Sequence, residues 1–449
     1  MRGLLLLSII FLHSSLGAQK IFTEAEFIAA VKEFHPVAKQ ALLDVRIAEA
    51  NLIASRAGFD PVASFDKSRK DFDGITYYNQ QWSQVKIPTW YGIDIHAGQE
   101  TVRGNRINPE ETKGTINFVG VTVPLVQNLV TDKRRAAVLQ ARVLKKSSEV
   151  SRKAALNDLI AEAALAYWDW WEQEQVLKVV QVSIKNAKAR LAMVKTAHYL
   201  GDRPAIDTLE AASQVQFLEQ QETEAFMWRQ KSRLELSTFL WKEKETAYEL
   251  PEDALPALSQ SQTFPLLESL LAKARVQPVL LQYQYKLQSL GIERRLKFQS
   301  LLPEVTAKYT GISRDISKTF NGALFDNNFR FGLGVSLPLR LSEGRGDYRA
   351  AKLKIEQTRM EQIAKQVTVE NKVKQYYIEW QQSGTLYRQQ QQLVANYRAL
   401  QKGEELRFAN GESSLFLVNA REAKTIEGQR KELEIAAKIQ NKVKSSLVT

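Results

Sequence analysis

The chain of 449 residues is written twice, and this duplication constrains its fold more than any other feature. Gly120-Val-Thr-Val-Pro124-Leu125 returns as Gly334-Val-Ser-Leu-Pro338-Leu339, an offset of 214, and Arg135-Ala136-Ala137 returns as Arg349-Ala350-Ala351 at the same offset. Upstream, His35-Pro36 matches Gln277-Pro278 and Phe59-Asp60-Pro61 matches Leu301-Leu302-Pro303, both at 242. Downstream, Gly201-Asp202 matches Gly411-Glu412 at 210. The landmarks keep their order, and the largest length change falls between the first prolines and the second. Self-similarity at a long period marks tandem copies of one structural unit. The expected division is residues 19–250 for the first repeat and 251–449 for the second.

Each repeat follows one grammar. A helix comes first, expected over Glu24 to Ala57 and over Pro265 to Ser300. Irregular sequence with strand-like alternation follows, then a Pro-Leu step. A very long helical stretch comes next, about 131–199 and 346–408, and a return helix follows a glycine turn, about 205–241 and 414–446. The long stretches are rich in Ala, Leu, Lys, Glu, Gln and Arg, all good helix formers, and contain no proline. Helices of this length reach roughly 90–105 Å and cannot be buried in a compact domain. They need neighbours along their length, as in a coiled coil or a helical barrel. Small residues such as Ala136, Ala137, Ala163 and Ala164 let such helices approach closely.

The strands point to a compartment. Phe329, Phe331, Leu333, Val335 and Leu337 alternate with Arg330, Gly332, Gly334 and Ser336; Tyr91, Ile93, Ile95 and Ala97 alternate with Gly92, Asp94, His96 and Gly98. Period two with one apolar face marks a strand, and roughly 10 residues suit a tilted strand that crosses a bilayer. Thr115–Val123 and Val305–Ile312 are the expected partners, with 104–111 and 313–328 as the connecting loops. The amino-terminal residues 1–18 read as a secretory signal. Arg2 supplies the charge, Leu4 to Leu12 the apolar core and Ser15-Leu16-Gly17-Ala18 the cleavage zone, after Gly17 or after Ala18. That core is too short to span a bilayer. An exported chain with two such hairpins is expected to form a β-barrel in the outer membrane. Four strands do not close, since an open edge in hydrocarbon leaves backbone groups unpaired. The chain must therefore oligomerise, two copies giving eight strands and three giving twelve. Pro124 and Pro338 stand at the strand exits, where a missing N–H ends the ladder and lets the chain turn.

Other chemistry finds no support. There is no cysteine, hence no disulfide, thiolate site or cysteine nucleophile. His35, His96 and His198 fall in separate elements, with no metal spacing, and no phosphate loop is present. No cofactor and no enzymatic activity are expected. The net charge of +12 is spread along helices and reads as solvated helix faces rather than a nucleic-acid surface. The aromatic run Tyr167, Trp168, Trp170, Trp171 reads as helix packing or an equatorial belt rather than a ligand cage.

The sequence resembles the TolC-like outer-membrane efflux proteins over essentially the whole mature chain. The resemblance is carried by the Gly-x-x-x-Pro-Leu exits at Gly120 and Gly334, each followed by Arg-Ala-Ala. It is also carried by the turn segments Tyr199-Leu-Gly-Asp-Arg-Pro-Ala-Ile-Asp-Thr-Leu-Glu210 and Arg407-Phe-Ala-Asn-Gly-Glu-Ser-Ser-Leu-Phe-Leu-Val-Asn-Ala420. It implies a duplicated long-helix α-barrel with four strands per subunit in a shared, twelve-stranded barrel of a homotrimer. The barrel would sit in outer-membrane lipid and the helical part in the periplasm. It further implies a passive exit duct for efflux or type I secretion, docking through a periplasmic adaptor to an inner-membrane transporter. Gly201, Asp202, Gly411 and Glu412 would then lie at the periplasmic tips and contact the adaptor. In the best-known members, gate aspartates lie six and nine residues after the second-unit glycine; here those positions are Leu417 and Ala420. The first unit carries Asp207 and Glu210 instead. The expected gate is therefore an apolar constriction of Leu415, Phe416 and Leu417, with Asp207 near an acidic mouth. A soluble periplasmic coiled-coil adaptor or scaffold is the alternative reading.

Overall fold

The structure, a computed structural model, describes residues 21–257, 265–315 and 328–448. The signal segment lies outside the described residues, as does most of the loop expected over 313–328. The chain forms two compact units, each assembled from pieces of both sequence repeats.

One unit comprises residues 1–41, 155–275 and 369–449. It holds α1 (Glu24–Phe34), the carboxy-terminal part of α3 (Lys133–Tyr199), α4 (Ala205–Ser237), α5 (Leu267–Ala274), the carboxy-terminal part of α7 (Ser342–Ala409) and α8 (Leu415–Val448). The helices of 67 and 68 residues fall within a few residues of their expected bounds. Their packing follows helical spacing: Val176, Leu177, Val180, Ile184 and Ala187 form a stripe on α3 against Val215, Leu218 and Ala225 of α4 and Ile426 of α8. A second core holds the aromatic run. Tyr167, Trp168 and Trp170 are almost wholly buried with Phe27, Leu236 and Leu240, and the Tyr167 hydroxyl donates to the carbonyl of Phe22. The run is helix packing.

The expected single helices at the start of each repeat are instead broken pairs. α1 stops before His35, and α2 (Pro36–Ala54) begins at the proline; α5 stops before Gln277, and α6 (Pro278–Gln299) begins at Pro278. Proline clashes with its predecessor in a helical conformation, so His35 and Gln277 take ψ of 134° and 146°.

The other unit comprises residues 42–154 and 276–368 and carries one antiparallel sheet. Its strands are β1 (Val62–Phe72), β2 (Ile75–Pro88), β3 (Asp94–Arg103), β4 (Gly114–Pro124), β5 (Glu304–Ser313) and β6 (Phe329–Ser336), and they lie side by side in chain order. All four expected strands are present, but the sheet has six. The expected count of four passed over the β1–β2 hairpin, whose strands mix Asp66, Lys67, Arg69 and Gln81 among apolar positions. Its turn is Asp73-Gly74, with φ of 50° and 71°, a left-handed pair that suits a two-residue hairpin. The strand expected from Tyr91 starts at Asp94 instead. Thr89 N–H donates to Ile93 O at 2.9 Å and Gly92 takes φ 82°, closing a tight turn over the first residues of the alternation.

Candidate functional site

Two surfaces carry the candidate chemistry, one in each unit. On the sheet, paired residues share a face, so the register sorts every side chain. One row runs Ala63, Val85, Ala97, Val119, Gly311, Phe329 across all six strands without a polar side chain. The next row, Ile87, Ile95, Val121, Tyr309 and Phe331, is apolar too. Phe331, Leu333 and Val335 on this face are 58–67 % exposed. The opposite face carries Lys86, Asp94, His96, Glu100, Thr310 and Arg330. There His96 Nε2 lies 2.9 Å from Thr310 Oγ1, over Gly120 on the strand between them, and Arg330 reaches across two strands to Glu100 at 2.9 Å. Contacts between non-adjacent strands place this polar face on the inside of the curl. The sheet is therefore curved, with its ion pairs on the inner face, beside the buried Ile116 and Phe118, and with an apolar band on the outer face that gives way to the polar rows Ser83, Gln99, Asn117 and Gln81, Thr101, Thr115. Pro124 ends β4, with Leu125 N–H donating to Val305 O at 2.8 Å, and Pro338 lies in the connector from β6 to α7.

The second surface is the pair of helix reversals, which are built alike. In the first, Gly201 N–H donates to His198 O at 3.0 Å and Asp202 N–H to Ala197 O at 2.9 Å. In the second, Gly411 N–H donates to Phe408 O at 3.1 Å and Glu412 N–H to Arg407 O at 2.8 Å. Both glycines have φ near +80°. This double bond pattern around a left-handed residue is a Schellman cap, which satisfies carbonyls that a helix end would leave unpaired. Arg203 joins the two reversals: it pairs with Asp207 at 3.5 Å, donates to Phe408 O at 2.7 Å and lies 4.0 Å over the Phe408 ring.

The expected site residues divide accordingly. Gly201, Asp202, Gly411 and Glu412 are exposed at the reversals. Phe416 and Leu417 are exposed by 66 % and 42 %. Leu415 is 2 % exposed and packs with Val194 and Ala211, so within the subunit it locks the reversals together. Asp207 is held by Arg203. Behind the turns lies a buried ionic cluster that sequence reading missed. Arg190 of α3 donates to Glu422 of α8 at 2.8 and 3.2 Å and to Asn419 at 2.9 Å. Gln214 of α4 also donates to Glu422, and Asn419 donates to Glu210. Glu422 is 2 % exposed and Arg190 7 %. Partners 232 residues apart leave no local signal.

Among the described residues, no group of three or more His, Asp or Glu is placed to hold a metal ion, and no helix is long and apolar enough to cross a membrane. No family model matches the sequence, and no curated protein does either. Solved structures do match. The chain is similar to the outer-membrane channel OprN (TM-score 0.69, 14 % identity, covering 95 % of this chain and 89 % of that one). It is similar to the Campylobacter jejuni CmeC outer-membrane channel (TM-score 0.68, 13 % identity, 95 % and 84 % covered). The Vibrio cholerae outer-membrane protein VceC gives 0.66 at 12 % identity, with 94 % and 95 % covered. The fold is that of the TolC-like outer-membrane efflux channels. Long helices with a β-sheet, expected from the sequence, are the shared architecture.

Proposed function

We propose that the protein is the outer-membrane exit duct of a tripartite efflux or type I secretion system, a passive channel formed by a homotrimer. The observation that carries this reading is the curved sheet with a continuous apolar outer row and a charged inner face. Such a wall suits lipid on one side and water on the other. The outer sides of its two edge strands, β1 and β6, meet no strand among the described residues, and in hydrocarbon those backbone groups need partners from neighbouring copies. The helical part then extends into the periplasm, and the reversals at Gly201, Asp202, Gly411 and Glu412 are the docking surface for a periplasmic adaptor that couples to an inner-membrane transporter. Phe416 and Leu417, exposed beside the second reversal, form the apolar constriction, with Asp207 nearby and Leu415 holding the turns in place. The duct binds no cofactor and catalyses no reaction.

Membrane fractionation tests this reading. Recovery in the outer membrane as an oligomer that resists detergent until heated supports it. Recovery in the soluble periplasm, with no heat-modifiable oligomer, overturns it in favour of a coiled-coil adaptor or scaffold. In vivo cross-linking from cysteine placed at Asp202 or Glu412 tests the docking surface, and capture of an inner-membrane-anchored periplasmic protein is the expected product.

A further inference from the structure

The largest length difference between the two repeats falls in one place. The offset between them falls from 242 at Pro61 to 214 at Gly120, so the first repeat carries 28 residues more between these landmarks. In the second repeat, Pro303 leads into β5, and β6 leads straight out to Pro338. In the first, Pro61 leads into β1 and Pro124 closes β4, with β2 and β3 between. The repeat-equivalent strands are thus β1 with β5 and β4 with β6. The surplus is one hairpin, residues 75–103.

That hairpin lies in the middle of the sheet, between β1 and β4, with a full ladder on each side. Its strands of 14 and 10 residues are at least as long as β5 and β6, at 10 and 8. Val85, Ile87, Ile95 and Ala97 continue the apolar outer rows without a gap, while Gln84, Lys86, Asp94 and His96 face inward. Its turn is fastened at the helix end of the sheet: Asp94 pairs with Arg134 at 2.7 Å and with Lys86 at 3.0 Å, and Arg142 lies 5.7 Å over Trp90. A decorative loop would need none of these. Adding two strands also keeps the number even, so β1 and β6 run in opposite directions and the closing ladder between copies remains antiparallel.

We infer that the inserted hairpin is part of the barrel wall, so that each subunit contributes six strands and three copies close an eighteen-stranded barrel, β6 of one copy pairing with β1 of the next. This rests on the trimeric duct proposed above. At about 4.8 Å between strands and a tilt of about 40°, eighteen strands enclose a backbone cylinder about 36 Å across, against about 24 Å for twelve. The outer mouth is then roughly twice as large in cross-section as four strands per subunit would make it.

The test uses the absence of native cysteine. Single variants Val85→Cys and Ala97→Cys on the outer row, and Gln84→Cys and Lys86→Cys on the inner face, are prepared as trimers in lipid nanodiscs. The inner pair is expected to react with a charged maleimide at least 10-fold faster than the outer pair, which reacts with a lipid-soluble maleimide (tenfold being a conservative bound on partition out of hydrocarbon). Equal labelling of all four by the charged reagent places the hairpin outside the wall and overturns the inference. Electron cryo-microscopy of the same particles counts the strands: eighteen support it, and twelve, in a dimer or with the hairpin excluded, overturn it. In either of those refutations an inserted oligomer still stands as a duct. If no membrane-inserted oligomer is recovered, both readings fall.

Discussion

The buried cluster behind the helix reversals makes the sharpest energetic prediction. Replacing Arg190 by Met leaves Glu422, 2 % exposed, with Gln214 as its remaining donor partner among the contacts described above. Removing one member of a buried ion pair costs roughly 3–5 kcal/mol, because the remaining charge stays desolvated without compensation. The three helices that meet here, α3, α4 and α8, should then open locally at least about 100-fold more often. Hydrogen exchange of the reconstituted oligomer, read on peptides covering residues 185–200 and 415–425, measures that opening directly. Arg190→Met is expected to lower protection in both segments while leaving the strands unchanged. The double variant Arg190→Met/Glu422→Leu removes both charges and should recover protection to within about 10-fold of the parent, since a hydrophobic pair of similar volume replaces the ion pair at little cost. Exchange within about 3-fold of the parent in the single variant would refute the reasoning. So would a double variant that exchanges as fast as the single.

Three further outcomes follow from other sites. Gly411→Val places a β-branched residue at φ +80°, where a β-carbon meets no neighbour, so the expected cost is chiefly backbone strain of about 1–3 kcal/mol; transport should be lost while the heat-resistant oligomer remains, and persisting transport would show that this turn makes no adaptor contact. Gly120→Ala would put a β-carbon 2.5 Å from Tyr309 O and 2.6 Å from both His96 Nε2 and Thr310 Oγ1; the dissociation temperature of the oligomer should fall on a semi-native gel. Glu172 is raised to about 7, chiefly by burial and then by the charges of Asp169 and Glu434. Its folded form therefore holds the proton more tightly than the unfolded chain, and the stability this gives is full below pH 4.5 and lost as pH rises through about 7. Glu172→Gln should melt like the parent at pH 4 and higher at pH 8.5, by on the order of 1–2 kcal/mol after allowance for solvent screening.

What the sequence disclosed follows from the range of the forces involved. The long helices were legible because Gly201 and Gly411 stop them locally, through caps that use only nearby atoms. The strands β3 to β6 were legible from Phe329–Val335 and Ile93–Ala97, where alternation is unbroken. β1 and β2 escaped because Asp66, Ser68 and Lys70 on one face and Lys67 and Arg69 on the other blur the period. Two signals for them were present: the Asp73-Gly74 dipeptide and the surplus of residues between Pro61 and Gly120. The breaks at Pro36 and Pro278 were likewise written in the chain, since each proline dictates the conformation of the residue before it. The reversals were marked as a site by their glycines. The role of Leu415 as a core residue, and the Arg190–Glu422 cluster, were not, because burial of one residue against partners hundreds of positions away has no local pattern.

Single-channel recording in planar bilayers tests the central claim most directly. The purified oligomer should give discrete current steps, and Leu417→Ser, which removes an exposed apolar side chain from the proposed constriction, should raise the conductance of each step. Protein that inserts into the bilayer and passes no current, in the parent and in the Leu417→Ser variant alike, would contradict the reading of this chain as a duct.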